Sequence, residues 1–91
     1  METGPARQAR TMPRYLLHHQ HAPHECGVVF AGFRGFESPL RHQAALATCP
    51  SGGHSIWWVV EAAGETEALA LLPFYVAART VATLVAEVAI P

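Results

Sequence analysis

The fold is decided by one stretch of the chain, GGHSIWWVVEA at residues 52–62. From Ile56 to Val60 every side chain is large, apolar and either β-branched or aromatic, which is typical of a β-strand. A strand with one face in water would alternate apolar and polar residues. This one does not, so we expect both faces of its sheet to be covered. Gly52 and Gly53 predict a tight turn from a preceding strand.

The sequence on either side of this strand predicts three more strands and two helical segments. A first strand is expected at residues 15–17, running on to residue 21. A helix is expected to begin at Pro23 and to end at Gly35, with apolar residues spaced for one face at positions 26, 29, 30 and 33. A weak strand over 43–49, a helix over 64–72 interrupted by Pro73, one further turn over 74–79 and a last strand over 81–90 complete the pattern. The last strand is expected to be anchored by Val81, Val85, Val88 and Ile90.

The resulting order, βαββαβ, is that of the ferredoxin-like split βαβ fold. It predicts an α+β domain over residues 12–91, with an antiparallel sheet of strand order 4-1-3-2 and two helices on one face. Residues 1–11 carry no apolar period and are expected to be a disordered leader. Since the second sheet face would be bare in a monomer, and the chain has only six basic and seven acidic residues, we expect a dimeric α+β barrel, a homodimer or a larger homo-oligomer.

A glycine–histidine turn at 53–54, an aromatic strand at 57–61, the triplet EAL at 67–69 and the segment LLPFY at 71–75 follow one another in the second half of the chain. In these motifs residues 52–90 resemble muconolactone isomerase and similar small proteins of the dimeric α+β-barrel superfamily. The resemblance implies the fold and carries over no catalytic residues, because the first strand and helix do not match. A second likeness, in fold and histidine content, is to small actinobacterial nickel-binding proteins.

Composition argues against several classes of partner. The net charge is −1 and no run of basic residues occurs, so nucleic acid is not an expected partner. The chain has no Asp, which disfavours Mg²⁺ and Ca²⁺ sites, and it has no phosphate-binding loop for a nucleotide cofactor. The two cysteines are compatible with free thiols in a cytoplasmic protein, with one disulfide as an alternative. No secretory signal or membrane span is predicted.

The densest group of possible metal ligands is HHQHAPHEC at residues 18–26. Imidazole and thiolate ligands suit Zn²⁺, Ni²⁺ and copper ions. The expected strand order brings the end of strand 1, the end of strand 2 and the start of strand 3 to one end of the sheet, and places His42 at the opposite end, which excludes it. A transition-metal site, for nickel or zinc, is therefore predicted from His19, His21, His24, Cys26, Cys49 and His54. The alternative is that the histidines are hydrogen-bonded strand ends and Cys26 is an ordinary core residue.

Two other functions are compatible with the sequence. A cofactor-independent isomerase-like enzyme could hold a small apolar ring acid or lactone, with Trp57 or Trp58 as a wall and Glu61 orienting a base. Against it stands the possibility that both tryptophans are core residues and Glu61 is a solvated strand end. A nucleophilic Cys26 or Cys49 lacks a clear third partner. The remaining alternative is a structural oligomer without a site.

Overall fold

The structure is a computed structural model that describes residues 12–91. The expected leader, residues 1–11, lies outside the described residues. The elements are β1 (Arg14–Gln20), a 3₁₀ turn (Pro23–Glu25), α1 (Cys26–Ala31), β2 (Leu46–Ala47), a second 3₁₀ turn (Cys49–Ser51), β3 (Ser55–Glu61), α2 (Glu65–Leu69), α3 (Phe74–Ala77) and β4 (Thr80–Val85). The βαββαβ-like order of a small α+β protein is confirmed.

The four strands form one sheet in the order β2-β3-β1-β4, with antiparallel pairs throughout. This is the expected order 4-1-3-2 read from the other edge. β1 lies in the middle, and its register pairs His19 with Ile56 on one side and with Thr80 on the other. The two long-range pairings of β1 therefore fix what surrounds the histidines at its end.

The side chains of β3 alternate between the two faces of the sheet. Ile56, Trp58 and Val60 are buried on the face that the helices cover, whereas Trp57 and Val59 point to the opposite face. The core on the helix side is formed by Leu17, Val29, Ile56, Trp58, Val60, Ala62, Ala68, Leu72 and Val76. The short helices are held by this core, because helices of four to six residues have little stability alone.

The opposite face of the sheet, here called the open face, is apolar, and much of it is left uncovered by residues 12–91. Cross-strand pairing places Leu46, Val59 and Val81 on it. Val59 is 63% exposed and Val81 is 65% exposed. Residues 12–91 therefore do not supply the cover that residues 56–60 predict for both faces, and cover by a second chain stays a prediction.

Several elements are shorter than expected. β2 has two residues instead of seven, in an alanine-rich segment with few strand-forming side chains. β4 ends at Val85, whose partner is Arg14, the first residue of β1, and within residues 12–91 no strand continues this pairing. The expectation that Val88 and Ile90 anchor the last strand is wrong, since both lie outside it and are exposed.

The helices are also shorter. α1 ends at Ala31, and the chain then turns through Gly35, which has a φ of 72°. The expected helix over 64–72 ends at Leu69, and the turn after Pro73 ends at Ala77.

Candidate metal centre

Three possible ligands meet at the end of the sheet where β1 ends and β3 begins. The backbone N–H of His21 donates to the carbonyl of His54 at 3.1 Å, which continues the β1–β3 ladder just past both strands. Cys26 is the first residue of α1 and follows a short 3₁₀ turn from β1. The site is therefore built from the ends of two paired strands and the beginning of the helix that crosses over them.

The ligand atoms lie close together. His21 Nε2 is 3.3 Å from Cys26 Sγ, and Cys26 Sγ is 3.2 Å from His54 Nδ1. All three atoms lie within 4.8 Å of one another. The rings of His21 and His54 meet nearly edge-on, with centroids 5.4 Å apart. One sulfur and two nitrogen donors thus converge on a common point.

This spacing fits a transition-metal ion. With metal–sulfur bonds of about 2.3 Å and metal–nitrogen bonds of about 2.0–2.1 Å, tetrahedral coordination needs sulfur–nitrogen distances of about 3.6 Å. The observed distances of 3.3 and 3.2 Å are a few tenths of an ångström shorter. A small outward movement of the three side chains would admit an ion, and their chemistry suits zinc, nickel or copper.

A glycine turn sets the position of His54. Gly52 adopts a left-handed φ of 88°, and the Gly53 N–H donates to the Thr48 carbonyl at 2.8 Å. A Cβ on Gly53 would lie 2.1 Å from Thr48 Oγ1, so a side chain does not fit there. The turn expected from the paired glycines is confirmed, and it places the start of β3 beside the end of β1.

A second cluster fixes the segment that precedes Cys26. Glu25 Oε1 accepts from the Ala22 N–H at 2.8 Å, and Oε2 accepts from Tyr75 Oη and, at 2.9 Å, from Arg79 Nε. The Arg79 guanidinium also lies 3.8 Å from the centre of the Tyr75 ring. The hydrogen bonds from Tyr75 and Ala22, helped by Arg79, lower the pKa of Glu25 to about 2. The carboxylate therefore ties the start of α1 to α3 and to Arg79, the residue just before β4.

This Glu25 cluster was missed by sequence reasoning. One signal was available, since Glu25 stands three residues after Ala22 with Pro23 between them, which is the spacing of a capping box. The partners on Tyr75 and Arg79 are about 50 residues away, and no local pattern connects them.

His19 lies beside the three ligands, but it faces a different set of atoms. Its side chain is 0% exposed. Nε2 is 3.0 Å from Nδ1 of His21, while Nδ1 is 3.2 Å from the Val76 carbonyl and 3.1 Å from Thr80 Oγ1. Burial, with a smaller contribution from neighbouring His21, lowers the pKa of His19 below its ordinary value.

His21 shares this environment and is 8% exposed. Burial and the nearby His54 lower its pKa. Burial favours the neutral imidazole of His21, which is the form that can bind a metal ion.

The other histidines and Cys49 stand apart from the three ligands. His24 is exposed in the first 3₁₀ turn, and Cys49 is half-buried against the core in the second. Neither belongs to the group of possible ligands found in residues 12–91. His18 points to the open face and stacks on Trp57, with ring centroids 4.8 Å apart. His42 is exposed in a loop and has a left-handed φ of 66°.

The residues considered for an apolar pocket are divided between the two faces of the sheet. Trp58 is buried among the helices, Trp57 lies on the open face and Glu61 is exposed at the end of β3. A separate cavity of about 290 Å³ lies on the helix face. Its lining includes Phe30, Phe33, Ile56 and Trp58, with His42 and Gln43 among its polar residues.

Comparisons of the chain with protein-family models, curated proteins and solved structures found no match. Within the described part of the chain, no helix is long and apolar enough to cross a membrane. A functional proposal therefore rests on the geometry of the ligand cluster.

Proposed function

We propose that the protein binds a transition-metal ion through His21, Cys26 and His54. The observation that supports this is the convergence of one thiol and two imidazole donors, all within 4.8 Å of one another. A set with one sulfur and two nitrogen donors disfavours Mg²⁺ and Ca²⁺, which take oxygen ligands. Zinc and nickel are the proposed ions, and a fourth position would be left for water or another small ligand.

Metal content after purification without a histidine tag tests the proposal. Wild-type protein loaded with Zn²⁺ or Ni²⁺ at pH 7.5 and freed of excess metal is expected to retain about one ion per chain by elemental analysis. His54→Ala removes one of three ligands and should lower retention strongly. His24→Ala is the matched control, because His24 belongs to the same histidine-rich segment but is exposed and outside the group. Equal retention by wild type and His54→Ala, or none by wild type, would contradict the proposed site.

We further propose that a second copy of the chain covers the open face, giving a dimeric α+β barrel. Support comes from the apolar pairs on this face, which match Leu46 with Trp57 and Leu16 with Val59. Apolar area removed from water contributes about 25 cal/mol per Å², so a face of this kind favours association.

Light scattering at micromolar concentration is expected to give at least twice the chain mass. Val59→Glu should convert the protein to monomers. Thr66→Glu, which adds the same charge on an exposed part of α2, should not. A wild-type protein with the mass of one chain would exclude this assembly.

A second candidate function, suggested by the cavity on the helix face, is binding of a small apolar ring acid or lactone by an isomerase-like enzyme. The volume of about 290 Å³ is at the lower limit for ligand pockets and suits a single small ring. In Trp57→Phe the remaining tryptophan is Trp58, which lines the cavity. Its fluorescence should then respond to ring acids or lactones. A panel that changes neither fluorescence nor melting temperature would rule this candidate out.

A further inference from the structure

The proton positions around His19 follow from which of its neighbours can donate. The Val76 carbonyl only accepts hydrogen bonds, and Thr80 Oγ1 already donates its one proton to that carbonyl at 2.7 Å. His19 Nδ1 faces both of these oxygens at 3.2 and 3.1 Å; a protonated Nδ1 can donate to them, whereas a bare Nδ1 would set its lone pair against the carbonyl oxygen, so the contacts favour the proton on Nδ1. In a neutral His19 the other nitrogen, Nε2, is then a bare acceptor.

The same reasoning passes to His21. Its Nδ1 lies 3.0 Å from the bare Nε2 of His19, and a hydrogen bond there requires that His21 Nδ1 carries a proton. The remaining nitrogen of a neutral His21, Nε2, is left with its lone pair. That nitrogen is the one that lies 3.3 Å from Cys26 Sγ.

We propose that His19 is a positioning residue, which holds His21 in the tautomer that presents the Nε2 lone pair to the metal. This inference rests on the proposed function and reassigns His19 from ligand to supporting partner. The Nε2 of His19 points at His21 Nδ1, on the side of that ring away from Cys26. Metal-bound histidines commonly donate their second N–H to such a partner, which fixes the ring orientation.

The surroundings of His19 make its orientation rigid. The side chain is 0% exposed, and its register partners are Ile56 in β3 and Thr80 in β4. The Trp58 ring lies 6.4 Å away, centroid to centroid. The acceptor carbonyl belongs to Val76 in α3. The packing of α3 on the sheet therefore helps to set the orientation of His19 and, through it, that of His21.

Long-range ¹H–¹⁵N NMR of the metal-free full chain at pH 7.5 tests the proposal directly, since it shows which nitrogen of His21 is protonated. Wild type should give the Nδ1–H form. His19→Phe keeps a ring but removes both nitrogens, so the preference of His21 should be lost. His19→Gln offers an amide oxygen near the position of Nε2 and should restore it. His18→Phe, one residue away on the open face, should leave the tautomer unchanged.

Affinity is measured on the same four proteins by zinc competition with a chelating dye. His19→Phe should weaken binding about 10- to 100-fold, and His19→Gln should recover most of the loss. A wild-type His21 protonated on Nε2, or an unchanged tautomer in His19→Phe, would overturn the proposal, and the wild-type spectrum decides even if His19→Phe does not fold. Absence of zinc binding in wild type with the expected tautomer would refute the proposed function and leave the proton chain intact.

Discussion

Zinc should stabilise the folded chain substantially, because His21, Cys26 and His54 come together only when β1, α1 and β3 are in place. A ligand that binds only the folded state adds about 2.7 kcal/mol to the free energy of unfolding when its free concentration is one hundred times the dissociation constant. For a domain of this size each kcal/mol raises the melting temperature by about 4–8 °C. The expected increase is therefore about 11–22 °C.

The assay is thermal unfolding followed by circular dichroism at pH 7.5, with the chelated protein as the zero-metal reference. His54→Ala should abolish most of the increase, because two remaining ligands hold the ion far more weakly. His24→Ala and His42→Ala change histidines that lie outside the ligand group and should keep the full increase. The reasoning would be refuted if Zn²⁺, Ni²⁺ and Co²⁺ all left the wild-type midpoint unchanged, or if His42→Ala removed the effect as completely as His54→Ala.

Three further predictions concern the metal-free fold. Burial lowers the pKa values of His19 and His21 in the folded state below the ordinary value of about 6.5. The free energy of unfolding in urea should therefore be highest above that pH and fall as the pH drops below it. A free energy of unfolding that stays constant between pH 7.5 and 5 would contradict this. Gly53→Ala should cost about 1–3 kcal/mol in urea unfolding, because the new Cβ would lie 2.1 Å from Thr48 Oγ1, and an unchanged midpoint would show that the turn adapts. Leu17→Ala should cost about 2–5 kcal/mol, since Leu17 is fully buried. Thr66→Ala, at an exposed position of α2, should change stability by less than about 0.5 kcal/mol.

Much of the sheet could be predicted from local pattern. The run at 56–60 forms β3, the glycine pair forms the turn before it, and the βαββαβ order leads to the observed strand order. The lengths of the strands were predicted less well, because they depend on how far the neighbouring strand extends. β4 stops at the residue that pairs with the first residue of β1, a limit that the sequence of residues 86–90 does not itself show.

The site could also be predicted in part, because the strand order determines which strand ends lie side by side. Strand order was enough to predict that His21 and His54 lie at the same end of the sheet. The position of Cys26 at the start of α1 placed the thiol at that end too. Side-chain direction separates the remaining candidates. His24 projects into solvent, Cys49 packs against the core, and His19 bonds to His21 and Val76. The directions of His24 and Cys49 depend on the geometry of two short 3₁₀ turns, and that of His19 depends on contacts with the distant residues Val76 and Thr80; residue spacing specifies neither.

Because Cys26 and His54 are far apart along the chain, an ion bound to both would close a long loop. The two residues are 28 positions apart, and the segment between them contains the least regular part of the described chain, with α1, a long loop and a strand of two residues. An ion joining them would act as a reversible cross-link that closes this loop. Opening of this loop would then require release of the ion, so amide protons between residues 27 and 53 would exchange with solvent more slowly as the concentration of free metal rises.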